Sequence, residues 1–187
     1  MKLSLVKHKP LSQTLVEGIP PPYSLKNYTK TIFLADINNN IILDVRTTSR
    51  HENETTAFKP MIKRLQKCLK TVLADKGYDS MSNRKICWNN EIDVHIPFRK
   101  WSESRHQEFG TPSKRKMAEK KFNKTVYNQR ALIESVNSAF KQTLGGFVRA
   151  RIASQQQKSV VLKTITYNIE HIQRKIKIVI LLETNRI

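Results

Sequence analysis

Acidic residues are scarce in this sequence of 187 residues, because Asp and Glu together number 15 against 34 Lys and Arg. The formal net charge is +19, an excess that points to a polyanionic partner, most commonly nucleic acid for a globular chain. A solvated basic surface or a protein bound to a membrane surface is the alternative interpretation. It is weaker, since no single amphipathic cationic helix carries the excess.

Cysteine is also rare. Cys68 and Cys87 form no CxxC pair, and no histidine stands at metal-ligand spacing from either of them. This pattern argues against a disulfide framework and against a thiolate metal site, and it predicts reduced thiols in an intracellular protein.

Long apolar runs are missing as well. The longest, residues 178–182, falls far short of the roughly 20 residues that a membrane-spanning helix needs. Residues 1–10 contain lysines but no long apolar segment, so no signal peptide is indicated. The sequence therefore predicts a cytoplasmic protein that is associated with the nucleoid and has no membrane partner.

The basic residues are concentrated in two stretches. Residues 99–124 contain nine basic and three acidic residues, and residues 141–177 contain eight basic and one acidic residue. Binding of DNA by such a surface releases counterions, so we expect it to be strong and sensitive to salt.

The middle of the chain alternates between strand and helix patterns. We expect a β-hairpin at 31–37 and 41–47, because two β-branched apolar runs flank Asn38, Asn39 and Asn40. The pattern then predicts a helix at 56–70, a strand at 71–74, a helix at 80–88 and a strand at 92–96. The predicted fold class is α/β, a mixed sheet flanked by helices.

The two ends of the chain are expected to differ from this core. Residues 1–30 are predicted to be irregular, since three consecutive prolines at 20–22 exclude helix and central strand there. Residues 31–150 form the predicted domain. A helix near 114–144, interrupted near Asn123, ends at Gly145. Residues 151–187 are predicted to pack on the same domain through a helix whose one side carries Val160, Val161, Ile165, Ile169, Ile172 and Ile176.

Asp75 is the first candidate for chemistry. It follows the short apolar strand at 71–74, and functional groups gather at the carboxyl ends of strands in open α/β sheets. Gly77 allows the backbone to turn sharply after it. The alternative is structural: Asp75 and Asp79 would only cap the helix that follows.

The second candidate is the helix around residues 127–141. At 3.6 residues per turn, its polar face is lined by Tyr127, Arg130, Glu134 and Lys141. The opposite face is expected to pack on the sheet through Leu132, Ile133, Val136, Ala139 and Phe140. An ordinary amphipathic helix with a solvated side is the alternative interpretation.

The spacing Tyr-x2-Arg-x3-Glu-x6-Lys of this helix resembles the diagnostic motif of DDE-type insertion-sequence transposases. The segments VLADKGYDS (72–80) and VHIPFRK (94–100) are similar to the family's second catalytic segment and the strand after it, and the resemblance covers about residues 28–148. It implies an RNase H-like, retroviral-integrase-like domain that cleaves and transfers DNA strands.

The resemblance also implies the site residues and the cofactor. Three carboxylates would hold two Mg²⁺ (or Mn²⁺) ions, with Asp75 as the second carboxylate and Glu134 as the third. The double-stranded DNA of the element's ends and of the target would be contacted by Tyr127, Arg130, Lys141, Lys76 and Asn137. A homodimer is left open.

One part of the family pattern has no counterpart. The family's first Asp lies on an opening strand, whereas residues 1–30 contain one acidic residue, Glu17. We therefore expect the opening strand to be missing or degraded in an N-terminally truncated copy, with catalytic activity in doubt. A catalytically inactive DNA-binding remnant is the alternative function, and a basic RNA- or ribosome-associated protein is a third interpretation.

Overall fold

The computed structural model describes residues 2–7, 30–49, 51–53, 55–99, 112–146, 148–150 and 152–184. Within them, one mixed sheet has the strand order β3-β2-β1-β4-β5. Its strands are β1 (Lys2–Lys7), β2 (Lys30–Asp36), β3 (Ile41–Thr48), β4 (Thr71–Ala74) and β5 (Asp93–His95). β1, β4 and β5 run parallel to one another, and β2 is antiparallel to both of its neighbours.

The β2–β3 hairpin confirms the prediction made from its turn residues. Asn40 has a φ of 55°, which asparagine tolerates better than most residues. The carboxylate of Asp36 accepts hydrogen bonds from the backbone N–H of Asn38 at 3.0 Å and from Nδ2 of Asn39 at 2.7 Å. The turn is therefore fixed by its own polar side chains.

The prediction that residues 1–30 are irregular and that the opening strand is missing is wrong for residues 2–7. β1 occupies the centre of the sheet, where Leu3 pairs with Asp36 of β2 and with Val72 of β4. The alternation of Leu3 and Leu5 with polar residues is too short to predict a strand alone, and its partners are distant in sequence. Glu17 and the three prolines lie outside the described residues.

Helices cover both faces of the sheet, as predicted. They are α1 (Thr55–Leu65), α2 (Met81–Trp88), α3 (Pro112–Lys121), α4 (Lys124–Asn128), α5 (Leu132–Leu144) and α6 (Ala153–Thr184). Ile32 and Leu34 of β2 pack with α1, whereas Phe33 and Ala35 pack with α5 and α6. This alternation follows from the two-residue period of a strand, and it buries β2 on both sides.

The predicted long helix at 114–144 is divided into three. α3 ends at Lys121, Asn123 caps α4, and a 3₁₀ turn at Gln129–Ala131 joins α4 to α5. On α5 the side chains of Ile133, Val136 and Phe140 are buried, as expected. Leu132, predicted to pack on the sheet, is instead 46% exposed, because it begins α5 at the edge of the buried face that Ile133, Val136 and Phe140 form.

α6 packs on β3 through one face and exposes another. Val160 is buried, but the isoleucines that were expected to share its side of the helix are exposed: Ile165, Ile169, Ile172 and Ile176. Tyr167, which was not part of the predicted side, is buried with Val160. The apolar residues of α6 thus belong to two opposite faces, which the sequence prediction merged into one. None of the described helices is long and apolar enough to cross a membrane.

Candidate active site at the carboxyl end of β4

Asp75 stands immediately after β4 and does not act as a helix cap. The side chain that caps α2 is that of Ser80, whose Oγ accepts a hydrogen bond from Asn83 N at 3.1 Å. Asp75 precedes a 3₁₀ turn at Lys76–Tyr78 and makes no capping hydrogen bond to it. Its carboxylate instead contacts Arg130, with 2.9 Å between Oδ1 and Nη1.

Arg130 joins the two candidate carboxylates. Its Nη2 lies 3.4 Å from Oε1 of Glu134, which is in the first turn of α5. Asp75 and Glu134 are distant in sequence, yet both contact the same guanidinium. The side chain of Glu134 is 65% exposed and that of Asp75 24%, so solvent reaches both carboxylates.

Tyr127 lies beside this ion-pair cluster. The guanidinium carbon of Arg130 is 5.8 Å from the centre of the Tyr127 ring. Burial raises the pKa of the Tyr127 hydroxyl, and the positive charge of Arg130 opposes that rise only in part. The hydroxyl is therefore protonated at neutral pH and can donate a hydrogen bond to a phosphate oxygen.

An open cleft of about 430 Å³ adjoins Asp75. Besides Asp75 and its neighbours in the loop, the cleft is lined by residues that the sequence analysis did not single out: Lys30, Asn53, Thr55 and Arg99. Lys30 reaches this position because β2 is antiparallel to β1, which brings the start of β2 to the carboxyl end of β4. Only the strand pairing could have revealed this.

Arg99 fixes the loop that follows Asp75. Its Nε donates to the carbonyl oxygen of Lys76 at 2.8 Å, and its Nη2 donates to the carbonyl oxygen of Gly77. The backbone N–H of Arg99 donates to Oδ2 of Asp79 at 2.8 Å. Asp79 thus helps to hold the loop beside Asp75 in place, and its side chain does not cap the following helix.

A buried ion pair also helps to hold this loop in place. Nη2 of Arg84 lies 2.8 Å from Oδ1 of Asp79, and both side chains are almost fully buried. Arg84 also donates to the carbonyl oxygen of Ile96 at 2.8 Å. Burial lowers the pKa of Arg84, whereas the hydrogen bond that its guanidinium donates to the Asp79 carboxylate raises it. A guanidinium stays charged under these conditions.

His95 positions the helix that carries Tyr127. The backbone N–H of Asn123, the N-cap of α4, donates to Nδ1 of His95 at 3.1 Å. Nδ1 is therefore the acceptor nitrogen, and Nε2 carries the proton toward Oδ2 of Asp93 at 2.8 Å. The ring of Phe122 lies 6.1 Å from His95 and 5.6 Å from Tyr127, so it packs between them.

The remaining predicted DNA contacts differ in position. Lys76 is exposed and lines the cleft. Lys141 and Asn137 lie further along α5, are half-buried and do not line it. Oδ1 of Asn137 is shut off from solvent and has no hydrogen-bond partner among the described residues.

Comparison with known proteins identifies the family. The model of the transposase DDE domain matches residues 21–169, which is most of the chain. This chain belongs to the DDE transposase family. The matched region contains Asp75, Tyr127, Arg130, Glu134 and Lys141, whereas β1 precedes it. No curated protein matches the sequence.

Two carboxylates, those of Asp75 and Glu134, meet at Arg130 in the transposase domain. Carboxylate oxygens are the ligands that Mg²⁺ prefers, but here both carboxylates contact a guanidinium instead. The described residues contain no group of three or more His, Cys, Asp or Glu able to hold a metal. β1, the neighbour of β4, has no acidic residue. This part of the chain therefore does not fit a site with two ions and three carboxylates.

Proposed function

We propose that this transposase domain binds double-stranded DNA and cleaves and transfers DNA strands during transposition of an insertion sequence. The observation that carries the proposal is the contact of Asp75 and Glu134 with one guanidinium, that of Arg130. These three residues belong to the two segments by which the sequence resembles this family. The central β1, antiparallel to β2 and parallel to β4, supports an RNase H-like fold.

Charge and cleft chemistry support DNA as the substrate. The chain has a net charge of +19, and the cleft beside Asp75 is lined by Lys30, Lys76, Arg99 and the hydroxyl-bearing Tyr127. Ammonium, guanidinium and phenol groups all donate hydrogen bonds to phosphate oxygens. A DNA backbone in this cleft would therefore lie beside Asp75.

The residues that would hold Mg²⁺ or Mn²⁺ are Asp75 and Glu134. A divalent ion supplies charge stabilisation to the oxygens of a phosphodiester under attack. The two ions that the family resemblance implies need a further carboxylate, which the described residues do not provide.

A second candidate function is DNA binding without cleavage. It is favoured by a specific observation: Arg130 contacts both carboxylates and supplies the positive charge that a metal ion would otherwise supply. In this case the basic cleft would retain DNA, but the site would not hydrolyse it.

Plasmid nicking in Mg²⁺ or Mn²⁺ tests these functions, with DNA binding measured in parallel. Wild type is compared with Asp75→Ala, Glu134→Gln and the control Glu170→Gln, since Glu170 is a carboxylate on α6 that pairs with the exposed Arg174. Nicking that both site variants abolish and the control retains supports strand cleavage. DNA binding without nicking supports the second candidate, and failure to bind DNA contradicts both.

A further inference from the structure

Arg99, which lines the cleft beside Asp75, belongs to none of the described helices and strands, so its backbone is not fixed by regular hydrogen bonding. Charged side chains hold both of its backbone groups instead. Its N–H donates to Oδ2 of Asp79 at 2.8 Å, and its carbonyl oxygen accepts from Nη2 of Arg115 at 2.7 Å. Hydrogen bonds to ionised groups are stronger than neutral ones, so these two contacts define where the Arg99 side chain begins.

Arg115 reaches this position from the first turns of α3. Its guanidinium carbon lies 5.3 Å from the centre of the Phe98 ring, a distance at which a cation is attracted to an aromatic face. The guanidinium carbon of Arg84, on α2, lies 4.1 Å from the centre of the same ring. The segment at 96–99 is therefore held from two helices, by Arg84 and by Arg115.

The side chain of Arg99 passes this restraint on to the cleft. Two of its nitrogens donate to the carbonyl oxygens of Lys76 and Gly77, in the loop that follows Asp75. Movement of Arg99 would thus alter two walls of the cleft, the guanidinium itself and this loop. Arg115 does not line the cleft and its side chain is only 25% exposed, so its influence on the cleft passes through Arg99.

We propose that Arg115 is a positioning residue for the cleft: it holds Arg99, and through Arg99 the loop after Asp75, in the arrangement that a DNA backbone meets. The proposal rests on the proposed function for its ligand. The restraint itself is present without DNA, so it can be measured separately. An effect that passes through one intermediate residue is not additive with the replacement of that residue, and this distinguishes positioning from a direct contact.

Hydrogen exchange of the full chain without DNA tests the restraint. The amides of Tyr78 and Asp79 donate to backbone carbonyl oxygens of the loop at 2.9 and 3.2 Å. Local opening of the loop exposes such amides to exchange. In Arg115→Met both should exchange faster, by roughly two- to tenfold, the range that the loss of one hydrogen bond produces. Exchange as slow as in wild type would overturn the proposal.

Arg174→Met is the matched control. Arg115 and Arg174 each pair with a glutamate four residues away on their own helix, Glu119 and Glu170 respectively. The two substitutions therefore remove the same charge and the same kind of ion pair, but Arg174 lies on α6. Exchange in the loop should stay at the wild-type rate in Arg174→Met, and an equal acceleration in both variants would overturn the proposal.

Fluorescence anisotropy with a labelled duplex tests the consequence for DNA. Arg115→Met should bind roughly two- to tenfold more weakly than Arg174→Met. Arg115→Lys should recover most of the loss, because an ammonium can also donate to the Arg99 carbonyl oxygen and lie over Phe98. Arg99→Gln/Arg115→Met and Arg99→Gln/Arg174→Met should bind equally. A further loss in the first of these double variants would overturn the proposal, since Arg115 would then act without Arg99.

Circular dichroism shows whether each variant is folded, and Arg115→Gln replaces Arg115→Met if the latter is not. The proposal and the proposed function fail in different ways. A wild type that does not bind the duplex contradicts the proposed function, and hydrogen exchange then decides alone whether Arg115 holds the loop. A wild type that binds, together with Arg115→Met and Arg174→Met variants of equal affinity, leaves the proposed function intact and overturns the positioning role.

Discussion

Nη1 of Arg130 lies 2.9 Å from Oδ1 of Asp75, and this contact brings a residue of the 3₁₀ turn before α5 to the end of β4. The same guanidinium reaches Glu134. The sequence motif implies that Arg130 contacts DNA, whereas in the structure its guanidinium contacts two carboxylates. A divalent ion is thus expected to compete with Arg130 for Asp75 and Glu134, and a phosphate is expected to compete with these two carboxylates for Arg130.

The first prediction concerns Arg130→Gln. Removal of the guanidinium leaves Asp75 and Glu134 without their shared counter-charge, so the DNA-free chain should bind Mn²⁺ more tightly. The gain should be a few-fold, because partly exposed ion pairs contribute roughly 0.2–1 kcal/mol each. Titration followed by the electron paramagnetic resonance signal of free Mn²⁺ measures it.

Arg174→Gln is the control for this experiment, because Arg174 forms an exposed pair with Glu170 on α6 and the charge change is identical. It should leave Mn²⁺ affinity unaltered. Equal affinities for Arg130→Gln and wild type would show that Arg130 does not compete with the ion.

The second prediction concerns the buried pair of Arg84 and Asp79. Arg84→Met leaves the Asp79 carboxylate buried without its partner and should lower the free energy of unfolding by about 3–5 kcal/mol. Urea denaturation followed by circular dichroism measures the change. Arg174→Met, which breaks an exposed pair, should cost less than roughly 1 kcal/mol. Similar losses for the two variants would contradict the support role of Arg84.

The sequence correctly predicted those secondary-structure elements that are specified by residues close together in the chain. The β2–β3 hairpin was predicted from the turn residues Asn38, Asn39 and Asn40, and the interruption of the long helix from Asn123. β1 was missed because six residues with two leucines acquire strand structure only through pairing with β2 and β4. β1 was therefore missed because it depends on long-range contacts, which local sequence preference does not reveal.

The candidate site shows the same division. Motif spacing selected Asp75, Arg130 and Glu134, but it could not show that Arg130 contacts both carboxylates. Lys30 and Arg99 reach the cleft through strand pairing and loop packing, which no sequence spacing encodes. Periodicity likewise cannot tell whether an apolar stripe of α6 packs on its own sheet or is exposed.

The third prediction uses the two cysteines. Burial raises the pKa of the Cys87 thiol to about 12, so it is fully protonated at pH 8, and the side chain is also inaccessible. Cys68 is exposed. Because the thiolate is the reactive form, Ellman's reagent should modify one thiol rapidly in the native protein and both in denaturant. Cys68→Ser should abolish the fast reaction, and a fast reaction that survives this change would contradict the burial of Cys87.

The last prediction concerns the cleft as the DNA-binding surface. Affinity for duplex DNA should fall linearly with salt on logarithmic axes, because each phosphate neutralised by a lysine or arginine releases counterions. Lys30 and Lys76 line the cleft, so the double variant Lys30→Gln/Lys76→Gln should bind more weakly at low salt. Its slope should be smaller by roughly 0.9 for each phosphate that the variant no longer neutralises.

The matched control is Lys67→Gln/Lys85→Gln, which removes the same charge from exposed positions that do not line the cleft. Its slope should equal that of wild type, although its affinity falls slightly through the lower net charge. Fluorescence anisotropy with a labelled duplex at several salt concentrations gives both slopes. Equal reductions in the two double variants would mean that DNA is held by the diffuse positive charge of the chain and not by the cleft beside Asp75.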